Sequence, residues 1–289
     1  MVDFFIGAKV FTLAEYSEKN ASAHAEQAMK RVFITGASSG LGAALAQSYA
    51  TQGAVLGLVA RRRELLEELA ASLPNARQHR IYALDVTDHS ALASAAADFI
   101  GATGGIDVVI ANAGISAGTL TEYAEDLAVF ERILATNVTA TVATFAPFIA
   151  TLKQQAQAGS RDCRLVGIAS VAGIRGLPGA EAYSASKAAV ISYCESLRVE
   201  LKGAGIKVVT IAPGYIDTPM TQVNTYPMPF LMPASAFADK AMAAIHAGAS
   251  YRVIPWQMGV VAKLLRLLPN CLYDFAFSRA PHKSRNAKL

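Results

Sequence analysis

A tyrosine and a lysine stand one helical turn apart in AYSASKAAV, at Tyr183 and Lys187. Residues at i and i+4 share a helix face, so the pair can set a phenol beside an ammonium. A phenol exchanges protons poorly at neutral pH, because its ordinary pKa is about 10. Lowering that value by roughly 3 units takes about 4 kcal/mol, which a unit charge about 4 Å away supplies at an effective dielectric of about 20. Lys187 is therefore expected to make Tyr183 acidic enough for general acid/base work. Three polar residues accompany the pair: Ser170 ends an apolar run, Asn112 ends another in ANAG, and Asn137 interrupts helix-like ATNVTA. Asparagine is a poor choice inside a helix, so Asn137 calls for a reason other than propensity.

A second constellation lies near the start. TGASSGLG carries Gly36, Gly40 and Gly42 directly after the apolar run KRVFIT. Such a strand-to-helix turn lets backbone N–H groups approach a pyrophosphate, and the helix N-terminus favours the negative charge. About 20 residues further on, a dinucleotide fold reads the adenosine ribose. A carboxylate there would suit the 2′-hydroxyl of NAD, but this chain has Ala60 followed by Arg61, Arg62 and Arg63. Three cations at a helix start oppose the helix dipole. The 2′-phosphate of NADP would offset them, so NADP is expected over NAD, with Arg61 as the contact and Ser38 as its partner.

The elements that must position these residues alternate along the chain. Seven apolar runs read as strands: 30–35, 54–60, 80–86, 106–114, 163–170, 206–214 and 251–255. Helical stretches separate them. Strands apolar on both faces with helices between them imply a parallel sheet covered on both sides. Right-handed crossovers then give an α/β fold, a single doubly wound, Rossmann-type domain with a seven-stranded parallel sheet. The 289 residues are 53% hydrophobic and 17% charged, which supports a large core. Three scattered cysteines argue against a disulfide framework, and no spacing suggests a metal site. The net charge of +4 is too mild to imply nucleic acid.

Taken together, TGASSGLG, ANAG, the Asn137 segment, Ser170, the YSASK box and the Pro213-Gly214 turn resemble the short-chain dehydrogenase/reductase family. The likeness runs from about residue 29 to 218 and weakens towards 255. One departure is ANAG where the family commonly shows NNAG, which leaves Asn112 in place. The resemblance implies an NAD(P)-dependent oxidoreductase that interconverts a carbonyl and a secondary alcohol. It makes Tyr183 the general acid/base and gives Lys187 the nicotinamide ribose. Ser170 would polarise the substrate oxygen, and Asn137 would support a proton-relay water. It also implies that Gly36, Ser38, Ser39, Gly40, Leu41 and Gly42 lie under the pyrophosphate. Asp85 and Val86 would face the adenine, Asn112, Ala113 and Gly114 would line the cofactor, and Pro213, Gly214, Ile216 and Thr218 would wrap its nicotinamide end. A homodimer or homotetramer is the expected assembly.

The chain's ends carry less pattern. Residues 1–28 are expected to form an extension outside a catalytic domain at 29–255, with neither a secretory signal nor a membrane-spanning helix. PMTQVNTYPMPFLMP (219–233) matches the segment that covers the substrate in the resembled family. Its methionines and Phe230 suggest an apolar substrate. Residues 256–289 read as an amphipathic helix, with Met258, Val261, Leu264, Leu265 and Leu268 on one face, and a basic tail. Positions 251–289 hold seven lysines and arginines against Asp274, a net +6 that leaves −2 for the rest. That end could cover the core, form a subunit contact, or touch an anionic membrane surface. The expected location is cytoplasmic, with membrane-peripheral placement as the variant. Two other functions remain open on sequence: a catalytically retired NADP-binding sensor or scaffold, and a nucleotide-sugar epimerase or dehydratase.

Overall fold

The apolar runs become strands because parallel pairing buries both of their faces. In a computed structural model that describes residues 29–278 except Thr225, together with Lys283 and Arg285, the strands are β1 (Arg31–Thr35), β2 (Val55–Ala60), β3 (Arg80–Ala83), β4 (Val108–Ala111), β5 (Arg164–Ile168) and β6 (Lys207–Pro213). Two short strands, β7 (Ile216–Asp217) and β8 (Met232–Pro233), pair with each other, and β9 (Tyr251–Ile254) closes the main sheet. The main sheet is seven-stranded and parallel, in the order β3-β2-β1-β4-β5-β6-β9. The chain winds outward from β1 to β3, then restarts at β4 on the other side. The crevice beyond the carboxyl ends of β1 and β4 is therefore the switch point where such sheets bind ligands. The expected fold class is the observed one. Residues 1–28, expected to lie outside the fold, are also outside the described residues.

Each face of the sheet has its own apolar layer. On one, α1 (Gly40–Thr51) sets Leu45, Ala46 and Tyr49 against Ile34, Leu56 and the Phe237–Ile245 side of α9 (Ala234–Ala247). On the other, Phe33 meets Phe148, Phe99 and Tyr82, with ring centroids 4.9, 5.7 and 5.8 Å away. At the end remote from the crevice, the Arg31 guanidinium grips Asp107 through two bonds of 3.0 and 2.7 Å and so ties β1 to β4. Between these strands run α2 (Arg63–Ser72), α3 (His89–Thr103) and the long stretch α4 (Asp126–Leu134), α5 (Ala140–Phe145) and α6 (Ile149–Gln157).

Two helical stretches add detail to the expectations. The stretch 126–157 is long and apolar enough to cross a membrane by length and composition. In this fold its apolarity is used against the sheet, where Phe145, Phe148 and Leu152 are fully buried. The C-terminal helix α10 (Trp256–Leu267) turns only part of the expected face inward. Met258, Gly259 and Ala262 face inward, whereas Val261 and Leu264 are exposed. Small residues permit close seating on β9, so they, and not the leucines, form the buried face. The following helix, α11 (Asn270–Phe277), is fastened to the loop after Ser170. Arg175 donates to the carbonyls of Leu265 and Leu268 at 2.6 and 2.8 Å, and its guanidinium lies 3.9 Å from the Tyr273 ring centroid.

Candidate active site

The glycine turn is built against the end of β4. Gly36 has a φ of +68°, and a side chain there would strike Ala113 Cα at 2.8 Å. A side chain on Gly42 would collide with the Gly36 carbonyl oxygen. Asn112 braces the turn, its Nδ2 donating to the carbonyls of Thr35 and Gly36 at 3.0 and 3.2 Å. Thr35 Oγ1 in turn accepts from the backbone N–H groups of Asn112 and Ala113, each at 3.1 Å. The result is bare backbone opening onto a cleft of about 350 Å³, at the start of a helix whose N–H groups the Ser39 side chain leaves uncapped. This is a cradle that any Cβ would fill, which is the fit a pyrophosphate needs.

The cleft runs the length of the crevice. Its walls include Gly36, Ser38, Ser39, Gly40 and Leu41 at one end, Arg61, Asp85 and Val86 beside them, and Asn112, Ala113 and Gly114 in the middle. Ser170, Tyr183, Lys187, Pro213, Gly214, Ile216 and Thr218 complete the other end. Of the residues singled out from sequence, Gly42 and Asn137 stand behind the wall. Asp85 is held by the Thr87 N–H and hydroxyl at 2.9 and 2.7 Å. Burial pushes its carboxyl up, but those bonds and Arg61 bring it below the usual range.

At the adenosine end, the Arg62 Nη2 donates to the hydroxyls of both Ser38 and Ser39 at 3.1 Å. Arg61 instead faces Asp85 at 3.9 Å. Both guanidiniums line the cleft. Sequence alone could not rank them, since the direction each takes from the N-terminus of α2 depends on side-chain packing.

Asn137 has a defined structural task. The helix widens into a π-type turn at Ala135–Thr139, and the buried carboxamide points out of it. Its Nδ2 donates to the Ile115 carbonyl (3.0 Å) and to Ser186 Oγ (2.9 Å), while its Oδ1 accepts from the Ile115 N–H (2.8 Å). Every polar capacity but one lone pair is used. The side chain therefore clamps the segment after β4 to the helix that carries Tyr183, and the carboxamide has little left for a relay water.

That helix, α7 (Glu181–Leu201), is seated closely on β5 and the turn after it at two glycines. A Cβ on Gly167 would meet Cys194 Sγ at 2.5 Å. One on Gly173, in the short turn Val171–Gly173, would meet the Lys187 carbonyl carbon at 2.5 Å and the Ala188 nitrogen at 2.7 Å. These approaches bring Ser170, capping that turn, to Tyr183. Lys187 Nζ donates to the Ile168 carbonyl at 2.8 Å and lies 5.7 Å from the Tyr183 ring centroid.

The chain's own groups do not by themselves acidify Tyr183. Burial pushes the phenol above its ordinary value, and the facing Ser170 hydroxyl only partly opposes that. Burial also lowers the Lys187 ammonium, to about 8. Attraction between a phenolate and an ammonium is offset by the cost of taking both from water. The expected acidification therefore falls to the charge of the oxidised nicotinamide, and without it Tyr183 is a neutral phenol.

The seating of α7 gives a direct prediction. Gly173→Ala places a methyl group against backbone that cannot rotate away, so the helix must shift relative to Ser170. We expect turnover to fall by about tenfold or more, since small misplacements of reacting groups are costly. Unchanged turnover in steady-state kinetics of the folded variant would refute the role of this contact.

Comparison with known proteins agrees with this geometry. A family model described as short chain dehydrogenase matches residues 30–227. The chain is 36% identical over 259 residues to an uncharacterised oxidoreductase of Myxococcus xanthus, covering 88% of this chain and 99% of that one. It is 35% identical over 196 residues to 11-beta-hydroxysteroid dehydrogenase 1A of Arabidopsis thaliana, covering 67% of this chain and 54% of the other. Among solved structures, a 3-ketoacyl-(acyl-carrier-protein) reductase from Brucella melitensis complexed with NADH superposes with a TM-score of 0.71 at 26% identity, covering 78% of this chain and 96% of that one. With a dinucleotide cradle at one end of its cleft and a serine, tyrosine and lysine at the other, the chain belongs to the short-chain dehydrogenase family, as a nicotinamide-dependent oxidoreductase of small molecules.

Proposed function

We propose that the protein is an NADPH-dependent carbonyl reductase whose substrate has an apolar body. The observation that carries this reading is the arrangement at the carboxyl edge of β5, where Ser170, the neutral Tyr183 phenol and Lys187 share one end of the cleft. When bound, the dinucleotide supplies a hydride to the carbonyl carbon. The Ser170 hydroxyl polarises the carbonyl oxygen, and Tyr183 gives its proton to that oxygen as the alcohol forms. Lys187, fixed by the Ile168 carbonyl, stabilises the phenolate left on Tyr183 and lies where the nicotinamide ribose would sit. Asn137 acts at one remove by holding α7 and the segment after β4 together. The backbone of Gly36 to Gly40 receives the pyrophosphate.

Support for NADPH comes from charge. No carboxylate stands at Ala60, and Arg61 and Arg62 both line the adenosine end. Support for an apolar substrate comes from the covering segment, whose two ends are pinned by the β7–β8 pairing. Met220 from that segment lines the cleft, and Phe230 and Leu231 are about half exposed beside it. The relatives' names span a hydroxysteroid and a ketoacyl group, so the substrate's character rests on this chain's own residues. The epimerase reading has no observation in its favour. A retired sensor would keep the cradle, but it would not need the intact serine, tyrosine and lysine.

Two measurements test this. Tyr183→Phe is expected to cut NADPH-dependent reduction of a carbonyl panel by about a hundredfold or more, while NADPH affinity from fluorescence titration stays within about threefold. Near-normal turnover would end the assignment, and tight NADPH binding with no turnover by the parent protein would favour the sensor. The second measurement compares kcat/KM for NADPH and NADH. The parent should favour NADPH by about tenfold or more, and the Arg61→Ala/Arg62→Ala double variant should lose that preference. Equal use of both cofactors by the parent would remove the phosphate role.

A further inference from the structure

The C-terminal tail returns to the mouth of the site. From α11, fastened by Arg175 to the loop after Ser170, the chain brings Lys283 and Arg285 back across the segment that follows β4. Arg285 is a clasp. Its Nε and Nη2 donate to the Asp126 carboxylate at 2.8 and 3.1 Å, Nη2 also reaches Glu125 at 3.1 Å, and its guanidinium lies 3.6 Å from the Tyr123 ring centroid. Asp126 is itself buried and accepts from the Leu120 N–H at 2.8 Å, so the clasp closes on a fixed part of the site wall.

Lys283 is placed differently. Its Nζ donates to Ser116 Oγ at 2.8 Å and stands 5.9 Å from the ring centroid of Tyr183. Ser116 follows Gly114 and Ile115, which line the cleft together with Tyr183. Among the described residues no carboxylate comes within ion-pair distance of Lys283, although Arg285, two residues on, has two. Burial works against its charge. A half-buried ammonium with one neutral hydrogen bond, held beside the proton donor by a clasp of its own, has donor capacity left over.

Resting on the reductase reading above, we infer that Lys283 is a specificity-determining residue that binds an anionic group on the carbonyl substrate, close to the carbon being reduced. The substrate is then an oxo acid with an apolar body. The acid group meets Lys283 and Ser116, and the body runs towards Met220 and the covering segment. A hydrogen bond to a charged group discriminates strongly against an analogue that lacks the charge, and a short spacer between acid and carbonyl suits the nearness of Lys283 to Tyr183.

The test uses the full-length protein and three variants: Lys283→Met, Lys283→Arg and a chain ending at Ser278. Probes are 2-oxooctanoate, its methyl ester and 2-octanone for turnover, and octanoate for binding to the NADPH-loaded protein by calorimetry. Lys283→Met should lower kcat/KM for the oxo acid by about tenfold or more, mainly through KM, and leave the ester and ketone within about twofold. Lys283→Arg should recover part of the loss, and truncation should match Lys283→Met. Octanoate should bind about tenfold more weakly to Lys283→Met while NADPH affinity is unchanged. Equal losses on charged and neutral probes would overturn the inference, as would no loss on any of them. A gain on every probe, the mark of a tail that merely plugs the site, would overturn it too. If no carbonyl is reduced, the reductase reading fails by itself, and Lys283-dependent octanoate binding still decides the anion site.

Discussion

The close seating of α7 on β5 is the contact on which the rest of the site depends. Ser170 comes from the sheet, and Tyr183 and Lys187 come from the helix. Nothing in the local sequence of either element fixes the distance between them. Gly167 and Gly173 fix it by contributing no side chain of their own, so that Cys194 and the Lys187–Ala188 backbone of the helix close on them. Asn137 locks the same helix from its other side through Ser186, and reaches the segment after β4 through Ile115. Three separate pieces of chain are thereby referred to one helix. The cofactor cradle is referred to the same frame, because Asn112 braces the glycine turn from the end of β4.

Within that frame the polar groups divide into those that hold and those that react. Thr35, Asn112 and Asn137 direct their hydrogen bonds at backbone or at one another, and buried groups so satisfied rigidify a site. Ser170, Tyr183 and Lys187 keep capacity facing the cleft. Burial disfavours both the phenolate of Tyr183 and the ammonium of Lys187, which keeps the tyrosine as a donor and the lysine only modestly basic. A site prepared in this way suits the paired hydride and proton transfers of an oxidoreductase.

Much of this was legible in the residues themselves. The seven strands announce themselves as apolar runs because a doubly covered parallel sheet demands apolar faces on both sides, and the turns after them hold Gly36, Asn112 and Ser170 because ligands meet the strands there. What escaped the sequence was direction. Arg61 and Arg62 are adjacent and chemically identical, and only packing sends one to Asp85 and the other to Ser38 and Ser39. On α10, helical periodicity put Met258, Val261 and the leucines on one face, whereas the residues buried are Met258, Gly259 and Ala262. A sequence shows that Tyr183 and Lys187 are near but not how deeply both are buried, so the opposing cost of burial was out of its reach. The return of Lys283 to Tyr183 spans 100 residues of sequence, and the basic composition of the tail carried no sign of it.

The account stands on Tyr183 being a neutral phenol that its buried environment keeps protonated until the substrate oxygen takes the proton. Ultraviolet titration of the cofactor-free protein, with Tyr183→Phe as the blank, isolates this one phenol from the other tyrosines. The account predicts a difference curve that rises only above the ordinary tyrosine value of about 10. A phenol that ionises near neutrality would contradict it, and would return Lys187 to the part of an acidifying partner.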